Sequence, residues 1–429
     1  MSKLDELIAE LCPNGVEYKS LGEIATIARG GNFQKKDFCD RGVPCIHYGQ
    51  IYTKYGLFTD KTITFITEER AKKQKFAKTN DIIMAVTSEN IEDVCKCLAW
   101  LGNEDVAVSG HSAIISHNQN PKYLVYYFHS QMFFTQKRKL AHGTKVIEVT
   151  PDTLKSIKLP VPPLEVQREI VHILDSFTLL TAELTAELTA RKKQYEFYRD
   201  NLIKKEQHIS EVKKLADVAN IYDSLHQTPS YSNSGYSMVR VQDIKGGYLD
   251  EDKTLKVDES VWNLFTQKYT PRLNDIVVSR VGSYGNFALI PNDKCCLGQN
   301  VALIHPNINP KYLYHVLMST MTKQWINNNV KGASQKSFSL ADIKRVPVPV
   351  PKENIQQRIA EVLDNFEAIC TDLNIGLPAE IEARQKQYEY YRDLLLTFAE
   401  TGSTLMTDRQ TDRQTDRQTD RQTDRQTDR

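Results

Sequence analysis

The side chains able to do chemistry in this chain are hydrogen-bond donors and acceptors in glycine-containing loops, and the chemistry they suit is recognition. Arg280-Val281-Gly282-Ser283-Tyr284-Gly285-Asn286 follows a strand-like run directly. Glycines let a backbone come close to another molecule, and Arg280, Ser283, Tyr284 and Asn286 suit phosphate oxygens and base edges. A simple hairpin turn would use the same residues. Gly298-Gln299-Asn300 and Gly110-His111-Ser112 occupy matching places in two halves of the chain. Gln299 and Asn300 carry the amide pair that reads adenine, although ordinary loops use such residues too, and His111 holds the matching place. Ala141-His142-Gly143-Thr144-Lys145 matches the loop that contains Lys331, Ser334, Gln335 and Lys336. Basic, hydroxyl-rich loops bearing His142, Thr144 and Lys145 suit phosphate contact; a solvated surface turn has the same composition.

Catalytic patterns are missing. There is no Gly-x-x-x-x-Gly-Lys-Ser/Thr phosphate loop, no Gly-x-Gly-x-x-Gly cofactor loop, no His-Glu-x-x-His and no Gly-x-Ser-x-Gly. No carboxylate–lysine cluster recurs between the halves as a nuclease core would require. Cys95-Lys96-Cys97 and Cys295-Cys296 lack zinc-ligand spacing, so the eight cysteines are expected to be reduced and half-buried, with no metal. The chain reads as non-catalytic.

Charge limits the partner class. The 55 basic and 54 acidic side chains nearly cancel. A DNA-binding role therefore requires positive charge gathered on one face, or partner chains that share the phosphate grip. With no apolar run of about 18 residues and no signal-peptide pattern at the start, the expected location is the cytoplasm, away from membranes.

The elements that must position these loops are duplicated. Residues 191–202 and 384–395 agree at nine of twelve positions, at a separation of 193. An offset of 189 aligns Asn120-Pro121-Lys122-Tyr123-Leu124 with Asn309-Pro310-Lys311-Tyr312-Leu313, and Leu159-Pro160-Val161-Pro162 with Val348-Pro349-Val350-Pro351. Asn80-Asp81 answers Asn274-Asp275 as an entry turn to a strand. Tyr123 to Phe134 and Tyr312 to Trp325 read as helices opened by Asn-Pro. Residues 30–78 and 224–268 share little beyond hydrophobic pattern. One scaffold used twice thus carries two different surfaces, with an approximate two-fold relation that suits duplex DNA.

From 165 to about 204 apolar residues recur at helical spacing as a coiled-coil seam, a rod of roughly 60 Å. A similar rod starts near Asn354, with a break expected at Gly376-Leu377-Pro378. The fold class is α+β: two mixed α/β domains separated by two long helical segments that form an antiparallel coiled coil, with a pseudo-two-fold internal repeat. The alternative folds each helix back on its own domain. Thr181-Ala182-Glu183-Leu184 and Thr185-Ala186-Glu187-Leu188 repeat within the first rod. Such a unit would set length, although Ala, Glu and Leu are also simply good helix formers.

These helical motifs, with the Gln-Tyr-Glu-aromatic-Tyr-Arg-Asp ending and the Thr-Ala-Glu-Leu units, make the chain resemble the specificity subunit of type I restriction-modification systems over residues 1–400. The resemblance implies N- and C-terminal recognition domains at 1–160 and 209–350, and helical spacers at 161–208 and 351–405. It further implies that each domain reads one half of a split, asymmetric site on double-stranded DNA. Two modification subunits would dock on the rods and methylate adenine from S-adenosylmethionine, and restriction motor-nuclease subunits would use ATP and magnesium. This chain itself would hold no cofactor. By the same resemblance, residues 29–36 form a variable loop that offers Arg29, Asn32, Gln34, Lys35 and Lys36. At Val86-Thr87-Ser88-Glu89-Asn90 the family's Arg-x-Gly-Ser-x-Gly is absent, and Thr87, Ser88 and Asn90 stand in its place. A coiled-coil scaffold with two protein-binding domains would share the duplication.

From Thr407 the chain repeats Thr-Asp-Arg-Gln five times and ends Thr-Asp-Arg. With no apolar residue, the tail at 406–429 is expected to be disordered and dispensable for recognition. A tetranucleotide ACAG read through three frames would encode it.

Overall fold

The computed structural model describes residues 2–245, 247–249, 253–330, 337–372 and 376–401. The tail, and the candidates Lys331, Ser334, Gln335 and Lys336, lie outside the described residues. The chain divides into two compact units. Unit 1 holds the described residues up to Ala182 and from Glu382 onward; unit 2 is Glu183–Ile381.

In unit 1, one sheet has the strand order Ala25–Arg29, Ser112–His117, Ile82–Ala85, Cys97–Trp100, Phe58–Thr59. Ile82–Ala85 and Cys97–Trp100 are buried throughout, as continuous apolar strands must be. A second sheet runs Phe38–Cys39, Thr64–Ile66, Val43–Ile46, Val106–Val108, Lys75–Ala77, and Val43–Ile46 pairs in parallel with Val106–Val108. Unit 2 repeats the plan with fewer strands. One sheet is Ala219–Asp223, Val301–Pro306, Ile276–Ser279, Phe287–Leu289; the other is Leu255–Val257, Tyr236–Val239, Cys295–Leu297, whose last pair is parallel.

The repeated short motifs have repeated jobs. Asn80 and Asn274 take left-handed backbone, at φ 75° and 67°, which asparagine tolerates better than most residues. The following aspartates close the turns: Asp81 accepts from the Lys78 amide and Asp275 from the Arg272 amide, both at 2.8 Å. Asn120 and Asn309 cap their helices, and Tyr123 and Tyr312 donate to the carbonyls of Pro160 and Pro349 at 3.0 and 2.9 Å. The two helices expected at 123–134 and 312–325 are in fact two pairs. Pro121–Phe128 stops and Gln131–Leu140 restarts on the Ser130 cap; Pro310–Met318 stops and Thr320–Asn329 restarts on Ser319. A local hydroxyl cap overrides a continuous apolar pattern at that corner.

The first rod is one helix, Leu164–Ile209. The second is Glu353–Thr371 followed by Leu377–Thr401, so it is interrupted where Gly-Leu-Pro predicts. The rod beginnings are built into the domains. Val166, Ile170 and Leu174 join the unit 1 core, while Ile359, Ala360 and Leu363 join that of unit 2. Helix-on-helix contact enters through stacked rings, Phe177 on Tyr391 in unit 1 and Tyr198 on Phe366 in unit 2. No helix among the described residues is long and apolar enough to cross a membrane.

The near-identical motif is a docking device. In unit 2, Tyr195 is buried and Arg199, 2% exposed, lies over its ring. Asp200 accepts from the Thr320 amide at 3.0 Å and so caps Thr320–Asn329 from outside. In unit 1, Arg392 lies over Tyr388, and Asp393 accepts from the Gln131 amide at 3.2 Å. The motif that follows the first half in sequence thus completes unit 2, and the later copy completes unit 1. Asp200→Ala and Asp393→Ala should each cost about 1 kcal/mol, the usual worth of a lost cap. Amide hydrogen exchange at the start of the capped helix checks this, and unchanged protection there would refute it.

Candidate nucleic-acid interface

Each unit carries a cleft at the C-terminal end of its parallel strand pair. In unit 1 the strand Val43–Ile46 leads into His47 and Tyr48, and Val106–Val108 leads into Ser109, Gly110 and His111. These residues, with Arg29, Gly30, Gly31, Asn32, Phe33, Gln34, Lys73 and Lys75, line a cleft of about 640 Å³. Glycine is required at its floor. A Cβ on Gly30 would sit 2.2 Å from the Ser109 carbonyl oxygen, and one on Gly31 would sit 2.1 Å from Gln74 Oε1.

Rings form one wall, with His47 4.5 Å from Tyr48 and Tyr48 5.0 Å from His111 between centroids. Burial, then nearby Lys35 and His111, hold His47 well below the usual histidine range, at about 4. It is therefore neutral at physiological pH. His47 Nδ1 accepts from the Gly49 amide at 3.2 Å, which leaves Nε2 as the N–H donor. Lys73 and Lys75 are exposed on the rim, and Lys35 and Lys36 are exposed on an adjoining turn. This is the local concentration of positive charge that a nearly neutral chain needs for a phosphate partner.

The expected residues of the first half divide by task. Asn32, Gln34 and His111 line the cleft. Arg29 lines it too, but its head is engaged: Nε donates to the Gly110 carbonyl at 2.9 Å and Nη2 meets Glu148 at 2.8 Å. Thr87 is buried and meets His111 Nδ1 at 3.2 Å, so it steadies that ring rather than facing outward. Ser88 pairs with Ile147 in a short ladder, and Asn90 closes a turn on Asp93. His142, Thr144 and Lys145 are exposed on a loop closed by backbone pairing of His142 with Glu148. Through Glu148 that loop is tied to Arg29 and hence to the cleft.

In unit 2 the strand Tyr236–Val239 leads into Arg240, Val241 and Gln242, and Cys295–Leu297 leads into Gly298, Gln299 and Asn300. With Thr228, Pro229, Tyr231, Gly282 and Ser283 they line a cleft of about 490 Å³. Gln299 Nε2 reaches Thr228 Oγ1 at 3.3 Å. Asn300 takes left-handed backbone at φ 62°, and its carbonyl accepts from the Arg280 amide at 2.9 Å. The Arg280 side chain, 15% exposed, is paired with Asp223 and turned from the cleft. Tyr284 packs against the core of its unit, and Asn286 closes the turn by donating to the Ser283 carbonyl at 2.9 Å.

Sequence reading missed His47, Tyr48, Lys73 and Lys75 in one unit and Thr228, Tyr231, Arg240 and Gln242 in the other. They fall in or beside the stretches that share no residues, so no internal match pointed to them. The available signal was the end of an apolar strand. Elsewhere among the described residues, His315, Asp364 and Glu367 come within 4.8 Å of one another. Their atoms are engaged with each other, Lys311 and Tyr314 in a hydrogen-bonded network.

A family profile described as the type I restriction modification DNA specificity domain matches twice, over residues 13–191 and 209–383. The chain belongs to that family. The Escherichia coli type I restriction enzyme EcoR124I/EcoR124II specificity subunit is 36% identical over 258 residues, which are 57% of this chain and 63% of the relative. The aligned stretch thus spans less than two thirds of that relative. A Haemophilus influenzae relative is 29% identical over 313 residues, 70% of this chain and 77% of its own. Two solved structures share this fold. One, from work on complex assembly and conformational transition of the type I restriction-modification system, has a TM-score of 0.56 at 15% identity, covering 90% of this chain and 98% of that one. The other, a type I restriction-modification S subunit from M. genitalium, has a TM-score of 0.51 at 12% identity, covering 89% and 97%. Each family match of this specificity-family chain contains one of the two clefts described above, and these are lined by different side chains.

Proposed function

We propose that the chain is the non-catalytic DNA-recognition subunit of a type I restriction-modification complex, in which each cleft reads one half of a split site. One observation carries this reading: equivalent clefts on a repeated frame present different donors and acceptors. His47, Tyr48 and His111 in one stand where Arg240, Val241 and Asn300 stand in the other. Two unlike readers on a like frame suit an asymmetric, two-part sequence. The helical rods would dock two modification subunits. Phe197 and Tyr390, equivalent positions in the repeated motif, are 63% and 53% exposed and suit that contact. Those subunits would supply S-adenosylmethionine for adenine methylation, and motor-nuclease subunits would supply ATP- and magnesium-dependent cleavage. The complex would work in the cytoplasm.

Mapping adenine methylation across the genome, with the gene intact and disrupted, tests the proposal. A two-part motif with an unread gap should vanish on disruption. An unchanged methylation map, with the modification subunits present, would sink it.

A further inference from the structure

On the reading of the chain as a DNA-recognition subunit, we infer that Arg240 is the guanine reader of the second cleft, held ready by Asp243 and covered in the free chain by Gln242. Arg240 ends the strand Tyr236–Val239 and lines the cleft, with its side chain 23% exposed. Asp243 fixes its inner edge: Nε donates to Oδ2 and Nη2 to Oδ1, both at 3.0 Å. Gly298 leaves room for the stem, since a Cβ there would lie 3.1 Å from Arg240 Cγ. The outer edge is the Nη1/Nη2 pair. With the Gln242 amide oxygen turned to it, that oxygen accepts from Nη1 at 2.9 Å and Nη2 at 2.7 Å. Gln242 itself is exposed.

This is the arrangement of a reader rather than a phosphate clamp. Paired with Asp243, the guanidinium carries little net charge, whereas phosphate affinity grows with the charge neutralised. What remains is a fixed pattern of two donors, which matches O6 and N7 of guanine in the major groove. Adenine presents a donor where guanine presents O6, and so is refused. The Gln242 oxygen is a neutral acceptor in the place the base edge would take. Being on the surface, it can swing away without opening the core. The first cleft has no such fork at the equivalent strand end, where the buried His47 spends Nδ1 on the Gly49 amide. Guanine reading at this position is therefore specific to the second half-site.

The test uses the full chain co-expressed with its modification subunits. Arg240→Lys keeps the charge and loses the fork. Its methylation motif should keep the first half and the gap and become degenerate at one position of the second half, a G·C pair in the wild type. In parallel, the wild-type complex is titrated with duplexes carrying 7-deazaguanine at each guanine of the second half-site in turn. One position should weaken binding roughly 10- to 100-fold, and the same substitution should cost Arg240→Lys nothing further. The titration needs no variant, so poor folding of Arg240→Lys does not rescue the idea. An unchanged motif, a relaxed position that is not G·C, or indifference to 7-deazaguanine overturns it. Uniform weakening of an Arg240→Ala complex at all sites, with a salt slope reduced by about one, would make Arg240 a phosphate contact and overturn it too. If the wild-type complex writes no two-part motif, the functional reading falls first and this inference with it. A two-part motif insensitive to Arg240 sinks this inference alone.

Discussion

Deleting Thr185-Ala186-Glu187-Leu188 is expected to abolish methylation at the wild-type sites and transfer it to sites with the same two half-sequences and a different gap. The helix Leu164–Ile209 runs unbroken through the point at which the chain passes from unit 1 to unit 2, and that point lies inside the Thr-Ala-Glu-Leu repeat. Removing four residues withdraws roughly 6 Å of rise. That is under two base pairs at about 3.4 Å per step. It also turns the helix by about 40° beyond a full turn, so the faces carrying Tyr195 and Arg199 keep nearly their phase. No residue from 175 to 194 is buried, so the deletion opens no core and the protein should still fold. When geometry forbids both half-sites to be held together, the gain from joint binding, roughly 10²- to 10⁴-fold, is lost. Methylation mapping of the deletion strain reads the outcome. Altered half-site letters would mean the helix is no spacer, and an unchanged gap would mean something else sets the distance.

That experiment probes the part of the molecule most legible in the sequence. The duplicated Tyr, Arg and Asp are near-identical because each copy meets the same partners: a helix pair, an exposed helix start and a ring on a neighbouring helix. The identity was visible; the reason was not, because Gln131, Thr320, Phe177 and Phe366 lie far away in sequence. Asn80-Asp81 and Asn274-Asp275 were readable because the turn they make is local. The helix corners at Ser130 and Ser319 were hidden inside apolar runs. The clefts were half legible. The glycine-containing loops at Gly110-His111 and Gly298-Gln299 stand out in the sequence, but their register there is one residue off: in the structure His111 answers Asn300, whose carbonyls accept from the Val86 and Arg280 amides. The facing walls, His47-Tyr48 and Arg240-Gln242, are brought there by parallel strand pairing, a non-local relation between segments with no shared residues. Arg280 shows the converse limit: its type suggested DNA contact, but a partner on another strand, Asp223, turns it inward.

Among polar changes in unit 2, Asp364→Ala should be strongly damaging, at about 2–3 kcal/mol, the upper range for leaving a buried hydrogen-bond donor without its acceptor. Asp364 accepts from Lys311 Nζ at 2.6 Å and from His315 Nε2 at 2.9 Å. His315 is fully buried, and its Nδ1 meets the Tyr195 hydroxyl at 3.0 Å. Removing the carboxylate strands a buried imidazole N–H and loosens the ring on which Arg199 lies. The equivalent Asp175 in unit 1 accepts from Lys122 at 2.6 Å and the Tyr126 hydroxyl at 2.7 Å. Tyr126 has Thr178 Oγ1 at 3.3 Å as a second partner, so Asp175→Ala should cost less, about 1–2 kcal/mol. Burial pushes the Asp364 carboxyl up, but the bonds from His315 and Lys311 outweigh it and hold it below the usual range. Its contribution is therefore present above the unfolded carboxylate pKa of about 3.9 and is lost as pH falls through the lower folded value. Glu367 acts in the opposite sense. Burial raises its carboxyl, so its contribution is full at low pH and is lost as pH rises through that raised value. Between them these two carboxyls favour mildly acidic over alkaline solution, and Glu367→Gln should flatten the decline on the alkaline side. Hydrogen exchange of the helix Pro310–Met318 across pH measures both effects. If the helix Pro310–Met318 stays as protected in Asp364→Ala as in the wild type, the buried imidazole is not held by Asp364.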